Sequence, residues 1–526
     1  MKLNKFKRLE FTLFLSIFVV SLSLNFATQK YSVPNTDRHQ TDLFSDLLIK
    51  NQTLLYYNEL NVKYGIPIFG IRGLLNFGND YFVPSVLPGT IIIQALFKFI
   101  NLSTFFINTI FVLVGLYFFN KIADIFIFNN RFWSLVTTTI YFSSGAFIFV
   151  SSLPFKDLVA TATFFVGLYY ILNGIYNRKA FNFALFGFFA GVTMWMSYPN
   201  IIFYLPALAL HLFTIRNKIL KRQNLKNIII TFIFFFPFFI SLYIYQVRLF
   251  DGFLNFNNPV FSLNQYEAFS DRTSIPSFIL NVNISQLPIN FFNQIFLVNP
   301  ILISFSIFGS LYVVYDGVKK KKVNKVLLVL LMVVAMQFLF YLGKTWYGDF
   351  LRGSVATSYS RYLLVSWGVL IILSVSAIRR MVNLLTVRHT RKKSALILLF
   401  IYFVVSGLVV GLFSLKPDIE SAEMADELRN EIIENTPKNS IIFTGYHDKH
   451  IYPVRQTAIY VAIPKEERLN KTIYLMKELL EDGYSVYIVD ERDDYSISPV
   501  LSKDIFEKNG LKTERAFGDF YRITLG

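Results

Sequence analysis

The chain has no cysteine among its 526 residues. That excludes disulfides, thiolate metal sites and a cysteine nucleophile, and it leaves the redox compartment unread. Acid is scarce over most of the length: residues 1–415 carry 13 Asp and Glu against 36 Lys and Arg, whereas 416–526 carry 21 against 15. The formal charge of +17 therefore joins two regions of opposite sign, and the basic pI is no signal for nucleic acid, which is not expected as a partner. Apolar residues are abundant, at 54% of the chain with 59 Phe and 30 Tyr. This is the make-up of a polytopic membrane protein rather than of two or three soluble domains.

Apolar runs fall at about 11–27, 103–120, 132–151, 155–175, 181–196, 200–215, 228–247, 296–315, 326–343, 363–378 and 394–414. Read as helices long enough for a bilayer, they predict eleven spans. The first follows Lys2, Lys5, Lys7 and Arg8, and Asn25-Phe26-Ala27 is a poor signal-peptidase site, so it reads as a retained span with the N-terminus in the cytosol. Basic residues then cluster in alternate loops, such as Lys218 to Lys226, Lys319 to Lys325 and Arg379 to Lys393. That alternation follows the retention of Lys and Arg on the cytosolic side and puts the C-terminal region outside. The fold class expected is an all-α polytopic membrane bundle, 1–415, with a large first outer loop at 28–102, plus a small extracytoplasmic α/β domain at 416–526. Helix-like Glu420 to Glu434 and Lys465 to Glu481, alternating with strand-like Ser440 to Thr444, Ala458 to Ile463 and Tyr484 to Val489, give that domain its class. Thr90 to Ile100 is too short to cross and reads as a helix at the membrane surface.

Five of the 13 scarce acids lie in the first outer loop: Asp37, Asp42, Asp46, Glu59 and Asp80. Carboxylates at a bilayer boundary are expensive and tend to be functional, and Asp37 is placed to act as a general base toward a hydroxyl. Solvated loop acids, or a cap on the helix that follows, explain the same residues. Lys156-Asp157, in a short outer turn after Pro154, is a second acid for the same cavity or a span-end anchor. Arg361-Tyr362 opens a late span from the outer side, against the positive-inside bias. There its guanidinium suits a lipid phosphate, or snorkels beside an aromatic belt. The loop Lys344 to Arg352 adds further cations, and His39 and Arg72 say less.

With these residues in view, the chain resembles the polytopic glycosyltransferases of the GT-C superfamily, in particular the protein-mannosyltransferase and aminoarabinose-transferase-like branch. An Asp past the first span, a Leu-Leu pair some eleven residues on and a proline turn into a surface helix correspond to Asp37, Leu47-Leu48 and Leu87-Pro88-Gly89. The stretch Tyr57 to Phe69 with Arg72-Gly73, the acid Asp157 and the pair Arg361-Tyr362 also match. The second acid of the family's Asp-Glu pair is Arg38 here, and its double proline is split into Pro84 and Pro88. The resemblance implies inverting transfer of a sugar from a polyprenyl-phosphate donor to a glycan, lipid or protein acceptor at the outer face. Asp37 and Asp157 would be catalytic, Arg361, Tyr362, Lys156 and Arg72 would hold the donor phosphate, and His39 and Asp42 would touch substrate. No metal or other cofactor is indicated. The alternatives are a flippase for a lipid-linked glycan, or a membrane-anchored binding protein acting through 416–526.

Overall fold

A computed structural model of the chain describes residues 2–29, 36–66, 68–70, 74–77, 81–84, 87–103, 105–153, 156–216, 221–250, 282–320, 324–344, 354–384, 389–445, 447–460, 463, 467–490 and 503–526. Pro154, Arg72 and the loop 345–353 lie outside these residues, as does the side chain of Asp37. The described residues form two compact units. Those of Met1–Gln29, Leu102–Tyr245 and Ile275–Pro417 make the first, and those of Lys30–Asn101, Gln246–Ser274 and Asp418–Gly526 make the second.

The first unit is helical. Among the described residues of the chain, eight helices are long and apolar enough to cross a membrane: Phe6–Thr28, Phe106–Phe128, Lys156–Asn177, Tyr198–Ile215, Arg222–Tyr245, Lys325–Leu342, Leu364–Leu384 and Ser394–Asn435. The chain is thus a helical membrane protein by length and composition of its helices. The stretch expected as one span at 132–151 is instead two helices, Arg131–Ser143 and Gly145–Ser152, bent by 60°. The cause is local. Ser144 leaves the helical region (φ −65°, ψ 141°), and the hydroxyls of Ser143 and Ser144 turn back onto the carbonyls of Ile140 and Tyr141 at 3.2 and 2.8 Å. Gly407 crosses at this break, and a Cβ there would collide with the carbonyl oxygen of Ser143. Close backbone approach of this kind is how membrane helices gain contact without a hydrophobic driving force.

The second unit holds two sheets. Strands β1 (Tyr56–Tyr57), β2 (Leu74–Phe77) and β3 (Tyr81–Pro84) pair antiparallel in the order β1-β3-β2. A five-stranded sheet combines β4 (Ser440–Thr444), β5 (Gln456–Ile459), β6 (Ser485–Val489), β7 (Leu511–Phe517) and β8 (Phe520–Leu525) in the order β5-β4-β6-β8-β7. Strands β5, β4 and β6 run parallel, while β8 is antiparallel to both its neighbours. The amphipathic helix Arg468–Glu481 buries Ile473, Leu475, Met476 and Leu479, and Gly483, at φ 82°, makes the left-handed turn that leads on into β6. The strand expected over 458–463 ends at Ile459, and the hairpin β7-β8 had not been anticipated.

The edge of β5 is covered by the first long segment of the chain. Phe69 bridges Ala458 antiparallel, Gly70 N–H donates to Thr457 O at 3.1 Å, and Ile459 N–H donates to Ile68 O at 2.8 Å. Two asparagines hold this short piece extended. Phe69 N–H donates to Asn61 Oδ1 at 2.8 Å, and Phe69 O accepts from Asn61 and Asn58 Nδ2 at 3.0 and 3.2 Å. Capping an open edge removes a template for aggregation. One hydrophobic core accordingly mixes Phe44, Ile68, Phe69, Phe82 and Ile91 with Ile441, Phe443, Ile459 and Met476.

Candidate functional site

In the first unit, Asp157 stands in the first turn of the helix Lys156–Asn177, where a carboxylate suits the positive end of the helix dipole. Its side chain is 5% exposed, and its Oδ2 accepts from Arg361 Nε at 3.0 Å; Arg361 itself keeps 18% exposure. Arg361 belongs to a short helix, Ser358–Tyr362, that precedes the long helix Leu364–Leu384. Its guanidinium lies over the Tyr362 ring at 5.7 Å, and Tyr362 stacks on Tyr341 at 5.1 Å with ring planes 10° apart. The Tyr362, Asp157 and Tyr198 side chains all lie within electrostatic reach of the Tyr341 hydroxyl. The Tyr359 hydroxyl donates to Lys344 O, which ties the end of the helix Lys325–Leu342 to the same place. On the same short helix and at its N-cap, Ser360 Oγ and Thr357 Oγ1 are buried with no hydrogen-bond partner among the described residues.

The turn before Asp157 is fixed from beneath. Asn108 Nδ2 donates to Ser151 O at 3.2 Å, to Leu153 O at 2.8 Å and to Asn25 Oδ1 at 3.2 Å. Asn25 and Asn108 had not been singled out from the sequence, although asparagines inside apolar runs are a signal for such use. Tyr341 and Tyr198 had no comparable signal, because tyrosines are frequent throughout the chain.

The remaining sequence-derived residues belong to the second unit. Asp37 falls in the helix Thr36–Asn51. Asp42, on the same helix, is half-buried and meets Arg38 Nε at 3.7 Å, Lys98 Nζ at 3.3 Å and the Gln94 side chain. Lys98 also holds Asp46 at 2.9 Å. His39 is buried, its Nε2–H donating to Lys449 O at 3.0 Å and its ring edge-on to Tyr452. Burial, reinforced by the Arg429 guanidinium, pushes His39 down to about 4, so it is neutral at pH 7. Arg429 is itself held by Asp426 at 2.7 Å and by the carbonyls of His450 and Lys449. The structure thus gathers Asp157, Arg361 and Tyr362 in one unit, with Lys156 next to Asp157 in the chain, and Asp37, His39 and Asp42 on one helix of the other. Among the described residues no group of three or more His, Asp or Glu is arranged to hold a metal ion. Compared with models of known protein families and with the curated proteins, the chain matches none.

Proposed function

We propose that the protein is a membrane glycosyltransferase that moves a sugar from a polyprenyl-phosphate donor to a hydroxyl acceptor at the outer face, with inversion. The observation that carries this reading is the Asp157–Arg361 pair: a guanidinium held at 3.0 Å by a nearly buried carboxylate and flanked by stacked tyrosines, with two buried hydroxyls of the same segment, Thr357 and Ser360, that have no partner among the described residues. Ionisable groups at such a position are costly and are kept for a task. A guanidinium fork matches phosphate oxygens, and buried hydroxyls with spare hydrogen-bonding capacity suit a polar headgroup.

In this reading the acceptor oxygen attacks the anomeric carbon while Asp37 takes its proton. The bond from that carbon to the phosphate oxygen breaks, and the polyprenyl phosphate leaves with the electron pair. Arg361, with Lys156, offsets the charge growing on the leaving phosphate. Asp157 orients Arg361. By the family resemblance alone, Arg72 would contact the donor and His39 and Asp42 the acceptor. The eight long helices, the bent pair counted once and the shorter apolar helices Ala180–Met196 and Pro300–Asp316 make eleven crossings, with the N-terminus cytosolic and 418–526 outside. The helix Pro88–Phe99, with Leu96 and Phe99 exposed, then lies at the outer membrane surface.

The test is transfer from a panel of radiolabelled polyprenyl-phosphate sugars by the purified full-length protein. Asp37→Asn is expected to bind donor and to lose transfer by about a hundredfold or more, the range for removal of a general base. Transfer undiminished in Asp37→Asn, in protein that inserts and folds normally, would sink the assignment.

A further inference from the structure

The first unit also contains a cavity of about 450 Å³, partly open, that the sugar-transfer reading does not use. Its wall comes from four helices and includes Leu9, Trp133, Val136, Ile378, Ile397 and Phe403, with no charged residue among the described residues that line it. Thr139, the hydroxyl in the wall, is already satisfied by Leu135 O at 2.9 Å. The only other polar side-chain group in this wall is the Trp133 indole N–H, and a single donor is too few partners to hold an ordered water, so among membrane helices the available filling is hydrocarbon.

One end of this cavity is basic. Leu9 follows Arg8, Phe132 and Trp133 follow Arg131, and Ile378 precedes Arg379, so three walls end within a residue of a guanidinium. Side-chain contacts knit these ends together: Arg379 Nη1 donates to Phe128 O at 2.8 Å, Arg131 Nε lies 3.8 Å from Asp124, and Lys121 lies 3.5 Å from Glu10. Three cations, Lys121, Arg131 and Arg379, thus share these contacts with two acids, Glu10 and Asp124, and Arg8 lies two positions from Glu10 in the chain. Arg131 Nη1 is buried without a hydrogen-bond partner among the described residues. A buried, unpaired guanidinium nitrogen is a costly group, and an anionic oxygen removes the cost.

We propose that this cavity binds an anionic diacyl phospholipid, one acyl chain within the apolar wall and the phosphate against Arg131 and its basic neighbours. Charge complementarity selects this occupant over a zwitterionic lipid, since each nearby Lys or Arg favours an anionic headgroup severalfold.

Trp133 in the wall provides the readout. Full-length protein is delipidated in detergent and titrated with phosphatidylglycerol carrying brominated acyl chains, whose bromine quenches nearby tryptophan. A saturable quenched component is expected, absent in Trp133→Phe, and reached at a concentration on the order of tenfold lower than with brominated phosphatidylcholine. Arg131→Gln should erase most of that difference between headgroups while leaving the quenching itself. Equal half-saturation by the two lipids, or an unchanged quenched component in Trp133→Phe, overturns the proposal. So does release of the quenching by a polyprenyl phosphate at lower concentration than unlabelled phosphatidylglycerol, which would assign the cavity to the sugar carrier. None of these readings depends on transfer activity, so the site and the proposed reaction fail separately.

Discussion

Asp157 and Arg361 are 204 positions apart, and neither reveals the other in the sequence. Each carried a local oddity: an acid at the start of an apolar run, and an arginine at a span end where the expected topology makes basic residues rare. The oddities were legible, but the pairing was not, because a partner across the bundle leaves no periodic trace. Removing one member of a largely buried pair strands the other charge. Asp157→Asn is therefore expected to destabilise the bundle by ~3 kcal/mol, read as a lower thermal midpoint in detergent. Asp157→Asn combined with Arg361→Gln should lose less than the two single changes added together. His39 makes a pH prediction. The unfolded chain protonates this imidazole below about 6.5 and the folded chain only near 4. Stability from this group is therefore complete above pH 6.5 and falls as the pH drops toward 4, by up to about 3 kcal/mol at the limit. Thermal midpoints measured between pH 7 and 4 should fall less steeply in His39→Gln.

At the scale of elements, the sequence is a good guide wherever one period runs unbroken. The strands at 440–444 and 485–489 and the helix ending at Glu481 are where alternation and amphipathic spacing placed them. It was misleading where a break is made by two or three small polar residues inside an apolar run. The bend at Ser143-Ser144-Gly145 depends on side-chain hydroxyls competing for helix carbonyls, which hydropathy does not register. It was silent where an element is defined by its partner. Residues 68–70 have no strand signature, and they are extended because Asn58 and Asn61 grip Phe69 and β5 offers an open edge. Asn61→Ala should leave the buried Phe69 N–H without its acceptor, at a cost of about 2 kcal/mol. Hydrogen exchange of the Gly70 and Ile459 amides should accelerate in that variant while β8 stays protected; equal acceleration of both would mean that the clamp acts on the whole sheet.

For the whole molecule, composition was enough to decide the solvent. A chain with 54% hydrophobic residues, long apolar runs and basic residues gathered between them is committed to the bilayer before any contact is known. The change of charge sign near residue 415 likewise marks where a polar, sheet-forming region begins, since net acid and mixed helix and strand periods do not belong in lipid. What only the tertiary structure decided is which distant pieces share a core. Residues 36–101 are separated from 418–526 by more than three hundred positions, yet Phe44, Phe69 and Ile91 pack with Phe443 and Met476. The physical reason is that hydrophobic burial is non-directional: a pattern of apolar residues fixes that a face must be covered, and it does not name the segment that covers it.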